Sequence, residues 1–196
     1  MKKIFKQNLS LAIFTIIFMP SLVYAHTGVG DTTGFTYGLS HPISGIDHIL
    51  AMVAVGIWAA QTGGRAVWSV PITFVSIMIL GSILGMFGVA VPFIEQGIVM
   101  SVLILGVLIS AAVSLPLALS MTIVGLFAIF HGHAHGTEAS IEASGLNYIA
   151  GFALSTALLH LSGIGVSILF KRLDRPQLLR YAGSVITIGG IYLIFA

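Results

Sequence analysis

There is no cysteine among the 196 residues of this chain. That excludes a disulfide framework, a thiolate metal site and a cysteine nucleophile, so any bound metal must be held by imidazole, carboxylate, thioether or backbone groups. Charge is almost as scarce: Asp, Glu, Lys and Arg make up 7% of the residues, against about a quarter in soluble globular proteins, while 57% are hydrophobic. A chain of this kind reads as an all-α membrane protein. It also lacks a Gly-rich phosphate loop closed by Lys and Ser/Thr, and it has no soluble stretch large enough to hydrolyse ATP. The formal charge of +2 carries little weight, because Lys2, Lys3 and Lys6 supply three of the eight basic residues at the extreme N-terminus. No nucleic-acid partner is expected.

Residues 1–25 read as a secretory signal peptide: a basic start, an apolar stretch from Leu9 to Met19, Pro20, and the small-residue exit Val23-Tyr24-Ala25. Cleavage is expected after Ala25; the alternative is an uncleaved helix, for which the run is shorter than the ~20 residues that span a bilayer. Cleavage would expose His26, whose α-amine and imidazole form a chelating pair once the amine is neutral, or which is merely the residue after the cut. A Gly/Thr-rich stretch then runs outside the membrane to Ser40. Six apolar segments follow, approximately Ile43 to Gln61, Val67 to Ala90, Ile98 to Leu115, Leu117 to His133, Leu146 to Phe170 and Leu178 to Phe195. Each is near the length a tilted helix needs to cross, so a bundle of six transmembrane helices is expected over residues 26–196. With the mature N-terminus outside, Arg65, Lys171, Arg172, Arg175 and Arg180 all fall inside, in agreement with the positive-inside rule. Asp31, Glu95, Glu138 and Glu142 fall on or near the outer face, which would concentrate cations. Glycines such as Gly81, Gly85, Gly88, Gly163 and Gly165 suit close approach of helices.

Two stretches concentrate ligand chemistry. In Phe130–Glu138, F-H-G-H-A-H-G-T-E, a continuing helix would place His131, His135 and Glu138 on one face and turn His133 elsewhere. Gly132 and Gly136 would let helices approach closely there, or let the helix unwind and free backbone carbonyls for an ion. In His41–Met52, H-P-I-S-G-I-D-H-I-L-A-M, the spacing relates His41, Ser44 and His48 along one helix, with Asp47 beside His48. Both stretches sit at the outer ends of their helices. Ionisable groups in membrane helices are costly unless paired, hydrated or metal-bound, so Asp47 and His48 are functional candidates, either as ligand and partner or as a helix-locking hydrogen bond. Imidazole and carboxylate together suit Ni, Co, Zn or Cu rather than Mg or Ca. Glu95 is balanced between a solvated loop charge and an entry ligand, and Glu142 reads as solvated. His160 reads as hydrogen-bonded to a neighbouring helix, with a deeper relay site as the alternative. Met52, Met86, Met100 and Met121 read as packing. No prosthetic group is expected.

At these residues the chain closely resembles the HupE/UreJ family of nickel permeases. The family's H-x5-D-H pattern matches His41, Asp47 and His48, and its F-H-G-x-A-H-G-x-E pattern matches Phe130, His131, Gly132, Ala134, His135, Gly136 and Glu138. The resemblance covers essentially the whole chain. It implies an inner-membrane permease for Ni2+, with Co2+ transport in parts of the family, serving hydrogenase or urease maturation; it also strengthens Glu95 and assigns no role to His133, which occupies a variable position. The expected site is therefore His41, Asp47, His48, His131, His135 and Glu138, with Glu95 and His26 beside it. Protonation of imidazole should compete with the metal at low external pH. Two rivals stand against the permease: a metal sensor or donor that binds without transport, and an intramembrane Zn hydrolase. The latter meets Gly132 where the general base of H-E-x-x-H should be.

Overall fold

The computed structural model describes residues 34–139 and 143–195, so the signal sequence, His26, Asp31 and Glu142 lie outside it. Among the described residues there are seven helices and no strand. They are α1 Phe35–Ser44, α2 Ile46–Thr62, α3 Ala66–Met86, α4 Ile94–Ser110, α5 Leu117–Glu138, α6 Ala143–Arg172 and α7 Gln177–Phe195. Helices α3, α5, α6 and α7 are long and apolar enough to cross a membrane. Helices α1 and α2 pass the same test together, as a pair bent by 88°, and the apolar α4 is shorter at 17 residues. The protein is thus a multi-pass membrane protein. Each of the six apolar segments contains a helix, but several bounds move. The stretch before Ser40, expected to be polar and extramembranous, is already helical from Phe35; α3 stops at Met86, and α5 continues past His133 to Glu138.

Large side chains such as Leu80, Leu126, Leu158 and Ile188 point outward from the bundle, as they must where the surrounding medium is lipid. Inside, Met52, Val55 and Trp58 of α2 pack with Phe74 and Met78 of α3, Leu105 of α4, Ala128 of α5 and Phe152 of α6. The close helix pairs are α3 with α5, α4 with α7, and α6 with both α1 and α2. Small residues set these distances. A Cβ at Gly132 would collide with the Met78 carbonyl and one at Gly136 with the Ser82 carbonyl; reciprocally, Gly81 and Gly85 face the backbone at Ile129 and His133. Two small-x-x-x-small pairs thus interlock across the α3–α5 crossing, where backbone contact replaces the hydrophobic driving force that lipid removes.

The two ends of the bundle differ. At one end Lys171 Nζ donates to the Ala60 carbonyl and Arg180 Nε to the Ser110 carbonyl, and Arg65 precedes α3 there. These groups satisfy the carbonyls left unpaired at the C-terminal ends of α2 and α4. The histidine-rich stretches occupy the other end.

Candidate metal centre

A break in the chain builds the centre. Pro42, inside α1, has no N–H to donate to the preceding turn, and Gly45 is extended at φ −102°, ψ 124°. The helix stops at Ser44 and restarts at Ile46 on a new axis. His41 therefore closes α1 while Asp47 and His48 open α2, and the expected one-face relation of His41, Ser44 and His48 does not hold, because helical spacing cannot be carried across the bend. Ser44 donates its hydroxyl to the His41 carbonyl at 2.6 Å instead. The bend still directs both histidines at α5. The His41 ring lies 4.7 Å from the His135 ring, and the His48 ring lies 4.5 Å from His135 and 5.0 Å from His131.

Helix α5 runs unbroken through Phe130–Glu138, so the glycines there serve close packing and the backbone does not unwind. His131 and His135 face the break between α1 and α2. His133 turns to another side, where its Nε2 meets the Val89 carbonyl at 2.6 Å.

Among the described residues, three imidazoles share one pattern. His48 Nδ1–H donates to Asp47 Oδ1 at 2.9 Å, while its Nε2 is buried without a partner. His131 Nε2 pairs with Ser101 Oγ at 2.9 Å, while its Nδ1 is buried without a partner. His135 Nδ1 pairs with Tyr148 Oη at a long 3.4 Å, and its Nε2 is bare and buried. A neighbour fixes one nitrogen of each ring, and the other is left with nothing to bond. This is how proteins prepare histidine for a metal: the outer hydrogen bond sets tautomer and orientation, and the second nitrogen presents its lone pair. Left empty, three buried imine nitrogens are an unmet desolvation cost of about 1–3 kcal/mol each.

A second group overlaps the first. One ligand atom each from His41, His135 and Glu138 lies within 4.8 Å of the others, and His41 Nε2 is 3.2 Å from Glu138 Oε2. Tyr148 Oη also donates to Glu138 Oε2 at 3.5 Å, so this tyrosine ties the two groups together. Burial deepens in order. The Glu138 side chain is 39% exposed and His41 20%, whereas residue His135 is 2% exposed and His131 is sealed. The negative ends of α1 and α5 both close on this place, with His41 and His135 in their last turns, and that dipole orientation favours a cation. Asp47 sits in the first turn of α2, where the opposite dipole end stabilises its charge. A Cβ at Gly45 would stand 2.6 Å from Asp47 Oδ1, so a side chain there would push the Asp47–His48 pair out of its present geometry.

Glu95 is exposed in the first turn of α4 and belongs to neither group, and His26 lies outside the described residues. Met52 and Met78 are buried in the core. The hydrogen bond expected for His160 is absent: its two ring nitrogens are buried without a partner among the described residues. Sequence reasoning missed Ser101, Tyr148 and Phe152, the last packed at 4.0 Å on the His135 ring. Ser101 alone carried a signal, as one hydroxyl inside the apolar run of α4.

The family model described as HupE / UreJ protein matches residues 14–193. The chain is 42% identical over 176 residues to Protein HupE of Rhizobium leguminosarum bv. viciae, covering 90% of this chain and 92% of that one. No solved structure matches it.

Proposed function

The chain belongs to the HupE/UreJ protein family, and from that premise we propose that it is an inner-membrane permease for a divalent transition metal, Ni2+ first and Co2+ second, that supplies metalloenzyme maturation. The observation that carries the reading is the group His41, His135 and Glu138, whose ligand atoms lie within 4.8 Å of one another, with His48 beside His135 and His131, and His48, His131 and His135 each keeping one nitrogen bare and buried. Glu138 and His41 would capture the ion at the more exposed edge, and His135, common to both groups, would pass it to His48 and His131. Ligands drawn mainly from imidazole suit borderline metals and not Mg2+ or Ca2+, which demand oxygen. The basic cluster at the opposite end supports an orientation with the histidines in the periplasm, and the six apolar helical segments, α1–α2 counted as one, are then six crossings. Such an arrangement needs no ATP, because a membrane potential of 100 mV, negative inside, favours entry of a dication by about 4.6 kcal/mol.

The test is uptake by the full chain in liposomes with Ni2+, Co2+, Zn2+ and Cu2+ offered in turn. Accumulation of Ni2+ inside the vesicles, abolished by His135→Ala, is the expected result. Stoichiometric binding without accumulation would make the protein a sensor or donor and end the permease reading. The hydrolase alternative gains nothing, since Gly132 packs against the Met78 carbonyl and offers no general base.

A further inference from the structure

Below the three imidazoles, on the side away from Glu138, a fourth histidine lies alone. His160 is 1% exposed in the middle of α6, and among the described residues neither of its ring nitrogens has a partner. Phe74 of α3 touches it and the site above at once: the Phe74 ring is 5.2 Å from the His160 ring and 5.6 Å from the His131 ring. One aromatic side chain thus separates the deepest histidine of the metal centre from His160. On its other flank His160 borders a groove lined by Trp68, Pro71, Ile72, Val75 and Leu161, an almost wholly apolar wall that supplies no hydrogen bond.

The polar character continues inward. Thr156, His160, Gly163 and Ser167 repeat at helical spacing along one face of α6, the face that packs against α2 through Gly56 and Gly163. Thr156 Oγ1 meets Met78 Sδ, and the Ser167 hydroxyl is buried and unpartnered. Where α2 ends, Gln61 Oε1 and Thr62 Oγ1 are also buried and unpartnered, and Lys171 reaches the Ala60 carbonyl from the end of α6. Ser167 Oγ, Gln61 Oε1 and Thr62 Oγ1 are thus polar atoms without partners among the described residues toward the basic end, while the Thr156 hydroxyl and the His160 ring lie against α3.

A buried imidazole with neither nitrogen satisfied is a standing cost to the fold, and in a membrane helix that makes it a functional candidate. From this placement we infer that His160 is an inner station for the transported cation, reached from His131 past the Phe74 ring. This inference rests on the permease reading. His160 accepts the dication as a ligand after it leaves the outer imidazoles.

The experiment reads Ni2+ binding and Ni2+ flux side by side on the full chain, in detergent and in liposomes. His160→Leu removes two unsatisfied nitrogens, so its thermal midpoint should equal or exceed that of the unaltered protein. Its binding at the outer centre should persist, while the maximal flux falls by roughly tenfold or more, in line with loss of one metal contact. His160→Cys, which restores a metal-binding atom, should recover much of that flux. Undiminished flux in His160→Leu, with His135→Ala inactive, would overturn the station and leave the permease intact. A lowered thermal midpoint in His160→Leu with no recovery by His160→Cys would overturn it also, by assigning His160 to packing. Absence of Ni2+ flux in the unaltered protein would instead remove the permease reading itself, and the station with it.

Discussion

Replacement of Asp47 by asparagine isolates a single physical effect. The side chain keeps its shape, so the space left by Gly45 and the start of α2 are undisturbed, but the carboxylate that accepts His48 Nδ1–H at 2.9 Å loses its charge. If the amide oxygen takes over as acceptor, a charge-assisted hydrogen bond becomes a neutral one, and net contributions of about 1.5–3 kcal/mol fall to about 0.5–1.5 kcal/mol. The imidazole becomes less basic toward metal by about 1.4 kcal/mol, a tenfold change in affinity. If the amide instead turns its NH2 toward Nδ1, it stabilises the other tautomer and places a proton on Nε2, the nitrogen otherwise left bare and buried. The ligand is then lost, and the weakening approaches about a hundredfold, the upper end of the range for partners of metal-bound histidine. Calorimetric titration of Ni2+ into the purified protein in detergent measures this directly, with a thermal melt to confirm that the fold persists. A dissociation constant for Asp47→Asn within about twofold of the unaltered protein, under conditions where His135→Ala does not bind, would refute the tautomer argument.

Ser101→Ala leaves His131 Nε2 buried without its partner, and it should lower stability by about 1–3 kcal/mol and Ni2+ affinity several-fold, read from a melt and the same titration. Tyr148→Phe removes the hydroxyl joining His135 to Glu138; about tenfold weaker binding with an intact fold is expected. Gly132→Ala and Gly136→Ala drive a methyl group into the α3 backbone and should prevent assembly, measured as loss of monodisperse protein on extraction. By contrast, Gly125→Ala meets nothing closer than 3.8 Å and Gly165→Ala nothing within 4 Å, and both should be tolerated. Collapse of the membrane potential with an ionophore should abolish accumulation of Ni2+ above its external concentration; persistent accumulation would require another driving ion.

Helices far from the site were legible because composition and segment length decide them. In α3 to α7 apolar runs of the right length become helices wherever they are placed, since lipid leaves the backbone no other partner. The periodicity through Phe130–Glu138 was legible for the same reason: nothing interrupts α5. The break at Gly45 was written in Pro42 and Gly45, but its direction is set by packing of α1 on α6, where a Cβ at Gly38 would meet the Tyr148 carbonyl and one at Gly151 the Phe35 carbonyl. No local pattern encodes that crossing. Ser101 and Tyr148 escaped for a related reason. Each acts on a histidine of another helix, 30 residues away for Ser101 and 13 for Tyr148, and neither forms a motif with its own neighbours.

The glycines place fold and site in one energetic account. Met78 and Ser82 of α3 can lie against Gly132 and Gly136 only if no side chain intervenes, and the histidines of α5 alternate with those two glycines along the sequence. Closing the α3–α5 crossing therefore fixes the heights of His131 and His135, and the break between α1 and α2 brings His41 and His48 to meet them. Buried imine nitrogens oppose that closure, so an ion that satisfies them adds its binding free energy to the packing of the same helices. Ni2+ at a hundred times its dissociation constant should stabilise the folded protein by about 2.7 kcal/mol, visible as a raised thermal midpoint. The rise should be lost in His135→Ala, whose single ring serves both groups. It should survive in Glu95→Ala, whose carboxylate lies in neither. A midpoint unmoved by Ni2+ in the unaltered protein would show that the imidazoles converge for packing and not for metal.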